Sequence, residues 1–377
     1  MTKSKYRAVF ARGGTSKALI FHLADLPADR SSWNRLFLAA MGSPDAYGRQ
    51  LDGMGGGVSS LSKVCIIGPP TRPDADVDYT FAQVQVKEAR VDFSGNCGNM
   101  SSAIGPFAVD EGLLPAVDGE TTVRIHNTNT GKIIRSTFMV ADGRSLEEGD
   151  LVIPGVSGSG APVRLDFLEP GGASTGKLMP TGSPHDVLEI DGIGSVEVSM
   201  IDAANACVFI DAFALGLAGT ELPDEIDARP ELLARIASIR EHASVAMGIA
   251  ADLQAARMKR LIPMIAIISA PQDSATLDGS VLPEAAADLT VRMISSGQPH
   301  RALPLTGSLC VAVASAIEGT IPARHVRRQR IGSLRLGMPS GVITVDAEVA
   351  ADPHGWRALH GSFYRTTRRL FEGMVYA

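Results

Sequence analysis

The run Ser94-Gly95-Asn96-Cys97-Gly98-Asn99-Met100 constrains the chain on both sides of it. A strand-like segment, Tyr79 to Val91, leads into it, and a helix-like one, Met100 to Val109, leads out. A strand that ends in Gly and Asn residues and turns straight into a helix exposes several backbone N–H groups at one point. Those groups and the helix dipole form an anion site, and a cysteine placed there sits where a thiolate is stabilised. The flanking glycines let a substrate approach the backbone closely. A Gly/Asn turn around a buried structural cysteine is the other reading of the same residues.

The second half of the chain repeats this grammar. Val196 to Met200, Val208 to Ile210, Leu261 to Ile268 and Val342 to Val349 are strand-like, and Glu231 to Met247 has helical spacing of Leu232, Leu233, Ile236 and Ile239. Leu305-Thr306-Gly307-Ser308-Leu309-Cys310 opens a second apolar helix through Ala316. Small hydroxyl-bearing residues and Gly at a helix start make a second anion site. At 377 residues the chain exceeds the usual single-domain size, so two domains are expected. The expected arrangement is a pseudo-symmetric pair whose helix starts face one another across a cleft. The expected division is residues 1–188, completed by the C-terminal strand 363–377, and residues 189–362.

Composition narrows the function. With 45% hydrophobic and 20% charged residues the chain reads as an ordinary globular protein that buries its core without staples. A net charge of −6 argues against nucleic acid as the main partner, so cationic contacts to an anionic substrate must be local. No apolar run is long enough to span a bilayer, and Met1-Thr2-Lys3-Ser4-Lys5 leads into no signal-like segment, so no membrane partner and a cytoplasmic setting are expected. Cys65, Cys97, Cys207 and Cys310 lie far apart with no CxxC pair, which gives neither a zinc framework nor a disulfide scaffold. His126 and His185 lack ligand-spaced partners, so structural roles are expected of them and no metal is. The basic cluster Arg324, Arg327, Arg328, Arg330 and Arg335 has no interleaved aromatics and reads as a solvated loop.

The N-terminal segment reads as strand Tyr6 to Ala11, loop Arg12-Gly13-Gly14-Thr15-Ser16-Lys17, and strand Ala18 to Phe21. The loop lacks the spacing of a P-loop, but its hydroxyls and two cations suit a carboxylate. Asp52-Gly53-Met54-Gly55-Gly56-Gly57-Val58 is too rich in glycine for regular structure and reads as a mobile or tightly folded loop. Ser62-Lys63 follows, at the mouth of the apolar strand Val64 to Ile67. A lysine beside an apolar strand loses hydration, which favours the neutral form that a base requires. After Cys97, Pro106 predicts a kink or a short first helix. Asn127-Thr128-Asn129-Thr130-Gly131 reads as a polar turn.

Several of these runs, taken in order, carry a resemblance. They include Arg12 to Lys17, Gly42-Ser43-Pro44-Asp45, Asp52 to Gly56, Ser62-Lys63-Val64, Asp76 to Tyr79 and Gly95 to Asn99. Gly105-Pro106-Phe107-Ala108, Pro180-Thr181-Gly182 and Pro339-Ser340-Gly341 complete the set. Together they resemble the 2-methylaconitate cis-trans isomerase family, whose members include 3-methylitaconate Δ-isomerase and 4-oxalomesaconate tautomerase, over nearly the whole chain. The resemblance implies an α+β fold of the diaminopimelate epimerase type: two pseudo-symmetric domains, each a β-barrel wrapped around a central helix. It implies no cofactor and no metal, and a small polycarboxylate as partner; a homodimer is one assembly such a chain can form. It places the catalytic lysine on Lys63 and the catalytic cysteine on Cys97. Substrate contacts are expected from Arg12, Thr15, Ser16 and Ser62, from Asn96, Gly98, Asn99 and Met100, and from Thr306, Gly307 and Ser308. Asn205-Ala206-Cys207 departs from the Asn-Pro or Gly-Ile-Pro more usual in the family.

The implied chemistry is a 1,3-proton transfer. A base removes an allylic proton from an unsaturated di- or tricarboxylate, N–H donors hold the dienolate, and the proton returns at the other allylic carbon. Two other functions fit parts of the sequence. One is a cysteine-based amino-acid epimerase using Cys97 and Cys310; the other is a non-catalytic accessory protein of an aconitase-like enzyme.

Overall fold

The computed structural model describes residues 4–327, 333–352 and 355–377. Met1, Thr2 and Lys3 and, from the basic cluster, Arg328 and Arg330 lie outside the described residues. The chain divides into two compact units, Met1–Asp166 with Tyr364–Ala377, and Phe167–Phe363.

In the first unit, strand Lys5–Gly13 runs antiparallel to Ser16–His22, which lies parallel to Lys63–Gly68. Val77–Val84 is antiparallel to that strand and parallel to Gly119–Asn127, which pairs antiparallel with Lys132–Ala141. The C-terminal strand Thr367–Tyr376 pairs antiparallel with the other edge of Lys5–Gly13. These strands wrap the helix Gly98–Asp110, which is buried from Gly98 to Val109 and touches six of them. A helix apolar on all sides is stable only when enclosed in this way. It continues through Pro106 to Asp110 rather than stopping short.

A second helix, Trp33–Met41, covers the outside of the same strands. Its buried Trp33, Leu36, Phe37, Ala40 and Met41 pack on Leu19, Phe21, Val64, Ile66, Ala82 and Val84. The strands Ser16–His22 and Lys63–Gly68 are therefore covered on both faces, which is why they read as continuous apolar runs. Side chains alternate across a strand. Lys63, Cys65 and Ile67, and with them Tyr79, Phe81 and Gln83, accordingly point to the face opposite Trp33–Met41, where the enclosed helix lies.

The second unit follows the same order. Gly194–Ala203 is antiparallel to Asn205–Asp211, which is parallel to Met264–Ser269. Leu289–Ser295 is antiparallel to that strand and parallel to Leu334–Met338, which is antiparallel to Gly341–Asp352. The enclosed helix is Leu305–Ala316, buried from Leu305 to Ser315. Helix Pro230–Ala246 joins the first parallel pair, as Trp33–Met41 does in the first unit. Both units thus alternate antiparallel and parallel pairings in one sequence, with the central helix inserted at the same step.

Candidate active site

Lys63 is the first residue of its strand and is buried, with 5% of its surface exposed. Its Nζ donates to Gln83 Oε1 at 2.6 Å and lies 4.9 Å from the centre of the Phe81 ring. No carboxylate pairs with it among the described residues. Ser62, expected at the substrate, is fully buried and faces elsewhere: its hydroxyl accepts from Gln50 Nε2 at 2.7 Å. The glycine-rich loop is the packing around that glutamine. A Cβ on Gly55 would come within 2.3 Å of the Gln50 side chain, and Gly57 N–H donates to Gln50 Oε1 at 2.9 Å. Of the two readings of this loop, the tightly folded one holds.

Cys97 caps the helix Gly98–Asp110 through its backbone, with Ser101 N–H donating to its carbonyl at 3.0 Å. Its thiol lies 4.0 Å from Ser16 Oγ. Ser16 opens the strand whose Ala18 pairs with Lys63. The Cys65 thiol lies within electrostatic range of both Cys97 and Lys63. Burial pushes this thiol up, Cys97 adds to the shift, and Tyr79 and Lys63 oppose it. Tyr79 links the group, its hydroxyl 3.8 Å from Cys65 Sγ and 3.5 Å from the Cys97 carbonyl. Lys63 and Cys97 therefore bracket one patch of the inner face. The loop before Cys97 is clamped by the Asn127–Gly131 turn. Asn129 Nδ2 donates to the Phe81 and Phe93 carbonyls at 2.9 Å each, and Asn127 Nδ2 donates to Asn96 Oδ1 at 3.3 Å.

The expected Arg12–Lys17 loop is shorter than the sequence suggested. Gly13 pairs with Ser16, so only Gly14 and Thr15 turn, and Gly14 takes the left-handed φ of 52°. Asn99, second residue of the central helix, donates from Nδ2 to Thr15 Oγ1 at 3.1 Å and accepts from Arg365 Nε at 3.1 Å. Arg365 is buried, and burial pushes its guanidinium down to about 10. Arg12 donates from Nη1 to the carbonyls of Gly14 and Thr366, at 3.1 and 2.9 Å, and lies within electrostatic range of Glu147. Met100 is fully buried. Among these expected contacts, Asn96 and Asn99 hold the helix head in place through their side chains, and the leading backbone N–H groups of the helix, Gly98 included, have no acceptor within the helix itself.

The second unit repeats that clasp with the residue types exchanged. There Asn205, opening its strand, donates from Nδ2 to Oγ1 of Thr306, second residue of the helix, at 3.0 Å. Ser308 Oγ donates to the Pro304 carbonyl at 3.1 Å, and a Cβ on Gly307 would meet Met293 Sδ at 2.3 Å. Cys310 does not open this helix. It is the sixth residue, fully buried, with Sγ 3.4 Å from the Ile201 carbonyl, and Pro304 holds the capping position that Cys97 has in the first unit. Burial pushes the neighbouring Cys207 thiol up, and Cys310 adds to the shift.

The chain matches the PrpF protein family over residues 3–377. It belongs to the PrpF family. A 3-methylitaconate isomerase of Eubacterium barkeri is 41% identical over 371 residues, spanning 98% of this chain and 96% of its own. A 2-methyl-aconitate isomerase of Shewanella oneidensis is 37% identical over 382 residues, 98% and 96% of the two chains. A 4-oxalomesaconate tautomerase of Pseudomonas putida is 37% identical over 378 residues, 100% and 97% of the two. The crystal structure of a methylitaconate-delta-isomerase superposes with a TM-score of 0.76 at 40% identity, covering 100% of this chain and 96% of that one. A hydroxyproline epimerase from Agrobacterium vitis shares the fold alone, with a TM-score of 0.56 at 13% identity over 100% and 94% of the chains. The α+β architecture of this PrpF chain is thus that of the epimerase group.

Away from these residues several charged groups pair as structure. His126 Nδ1 lies 2.8 Å from Asp78 Oδ1. Arg324, Arg327 and Arg335 pair with Glu197, Glu284 and Asp288 at 2.8, 3.3 and 2.7 Å. No helix among the described residues is long and apolar enough to cross a membrane. No group of three or more His, Cys, Asp or Glu among them could hold a metal ion. Exhaustive chelation is therefore expected to leave turnover unchanged; a loss that zinc or magnesium restores would contradict a metal-free mechanism.

Sequence reasoning missed Gln83, Asn127, Asn129 and Arg365. The one available signal was Gln83, a polar residue on the same strand face as Tyr79 and Phe81.

Proposed function

We propose that this PrpF chain is a cofactor-independent allylic isomerase that moves or isomerises the C=C of an unsaturated di- or tricarboxylate such as 4-oxalomesaconate, methylitaconate or 2-methylaconitate. The observation that carries the reading is Lys63: a buried amine at a strand mouth, bonded to a neutral amide and bracketed with Cys97 at a helix head. Lys63 is the base. It takes the allylic proton, the C–H electron pair enters a dienolate, and the resulting ammonium returns the proton to the other allylic carbon. Electron density that reaches a carboxylate or keto oxygen is held by the leading N–H groups of the central helix and by Arg12, whose guanidinium donates to two backbone carbonyls beside the turn. Cys97 acts beside Lys63 as a polarising group or second acid/base. A cytoplasmic setting and a homodimeric assembly belong to this reading, and light scattering on the pure protein tests the assembly.

The decisive experiment is incubation of the pure protein in D₂O with 4-oxalomesaconate, methylitaconate and 2-methylaconitate separately, followed by NMR. Deuterium at both allylic carbons of one acid is the expected result. Exchange into none of them would end the reading, and exchange at the α-carbon of an amino acid such as proline in a parallel incubation would favour the epimerase.

A further inference from the structure

Gln83 faces Lys63 directly across the antiparallel ladder, and both side chains lie on the inner face. Its amide has only one way round. Nε2 donates to the backbone carbonyls of Ser59 at 3.0 Å and Ser62 at 2.9 Å, which leaves Oε1 towards Lys63 Nζ. Ser62 is held in turn by Gln50, which also donates to Ser43 Oγ at 2.8 Å. Gln50 keeps this position at a φ of 54°, a backbone conformation that a non-glycine residue adopts only when its surroundings impose it. Three residues remote in sequence thus fix one acceptor atom beside the buried amine.

We propose that Gln83 is the positioning residue for Lys63: it takes one N–H of the amine, so fixes where the nitrogen lone pair points, and being uncharged it does not hold a proton on that nitrogen. The proposal rests on the reading of Lys63 as the base. A neutral amine has two N–H bonds and one lone pair. With one N–H committed to Gln83, rotation about the last side-chain bond is restricted and the lone pair is held in a narrow set of directions. After proton abstraction the ammonium keeps that bond and returns the proton through another N–H. A carboxylate at position 83 makes the same contact but favours the ammonium before substrate arrives. The other titratable groups around Lys63 are Cys65 on its own strand, Tyr79 on the opposite one, Asp92 across the ladder from Gln83, and Cys97 at the helix head. Asp92 accepts from Ser94 N–H at 2.8 Å.

The test uses Gln83→Glu, Gln83→Met and Lys63→Met in the full-length protein. Each is assayed from pH 6 to 10 on the fastest of 4-oxalomesaconate, methylitaconate and 2-methylaconitate, with thermal melts alongside. Gln83→Glu is expected to lose about 100-fold in kcat at neutral pH, with KM within about threefold, and to regain it as pH rises. Gln83→Met is expected to lose at least about 10-fold in kcat at all pH values, again with KM little changed. A Gln83→Glu deficit that stays constant with pH overturns the proposal, as does unchanged kcat in either variant. If Gln83→Glu does not fold, the kcat-against-KM split in Gln83→Met decides alone. Full turnover by Lys63→Met overturns the reading of the base itself, whereas an inactive Lys63→Met beside an unimpaired Gln83→Glu overturns the role of Gln83 only.

Discussion

Lys63→Met is expected to lose about 10²–10⁴-fold in turnover, the usual contribution of a positioned general base, while still binding substrate. Methionine follows the lysine stem and keeps the strand mouth filled, but it has no amine. The groups proposed to hold carboxylates, the head of the Gly98–Asp110 helix and Arg12, are untouched, so calorimetric affinity is expected within a few-fold of wild type. Gln83 Oε1 loses its donor, and an unsatisfied buried acceptor costs about 1–3 kcal/mol, so the melt is recorded with the kinetics. Cys97→Ser is the comparison. Serine is a favourable capping residue, so the helix head is kept and the loss is expected to be no greater than that of Lys63→Met. If Lys63→Met kept more than a tenth of wild-type turnover, a barrier change of only about 1.4 kcal/mol, Lys63 would not be the base. An inactive Cys97→Ser beside an active Lys63→Met would move the proton transfer to the thiol.

What could be read from the sequence was local. Lys63 stood out because four apolar residues follow it, and Cys97 because a Gly/Asn run precedes an apolar helix. Both signals lie within a dozen residues of the atom concerned. What supports these residues is distant. Gln83 meets Lys63 through a strand register, and Arg365 reaches Asn99 from 266 positions along the chain. Asn127 and Asn129 read as turn residues; Asn129 is one and Asn127 ends the strand before it, yet their amides reach back to the Phe81 strand and the Cys97 loop. Spacing carries no trace of such contacts. The Cys310 reading failed for another reason. Thr306, Gly307 and Ser308 read as a helix start, and they are one, but Pro304 supplies the non-helical backbone that caps it, so the cysteine falls more than a turn inside the helix rather than at its opening.

The duplicated architecture explains why the two helix heads differ in chemistry. Each unit ties the second residue of its helix to a strand-opening turn by an Asn amide donating to a Thr hydroxyl. Thr15 with Asn99 and Asn205 with Thr306 are the same bond written in opposite directions. The clasp is what both units keep. The capping position before it varies, cysteine in one and proline in the other, and only the cysteine brings a titratable group to a helix head. An epimerase that works with two thiols, each at a helix head, needs a second cysteine in the capping position. A 1,3-transfer by a single lysine does not, and the second thiol here lies in the core.

The clasp also sets the largest stability effect expected outside the chemistry. Gly13→Ala places a Cβ 2.6 Å from the Asn99 carbonyl oxygen and 3.1 Å from Met100 Cα. Both are backbone atoms, so no side chain can swing away. Strand Lys5–Gly13 cannot retreat either, because Gly13 is paired with Ser16 on one side and Thr367 on the other. The helix head has to move. Overpacking of this kind costs about 3 kcal/mol, which in a unit of this size lowers Tm by roughly 6–12 °C. Asn99 lies two residues after Cys97, so the displacement is carried to the thiol and to the leading N–H groups together. A misplacement near 1 Å costs about 100-fold in rate, and turnover is expected to fall by that order even at temperatures where the variant is fully folded. Calorimetric melting and turnover at 15 °C are the measurements. A Gly13→Ala protein that melts within about 2 °C of wild type and turns over at the same rate would mean that the helix head is not held against this strand.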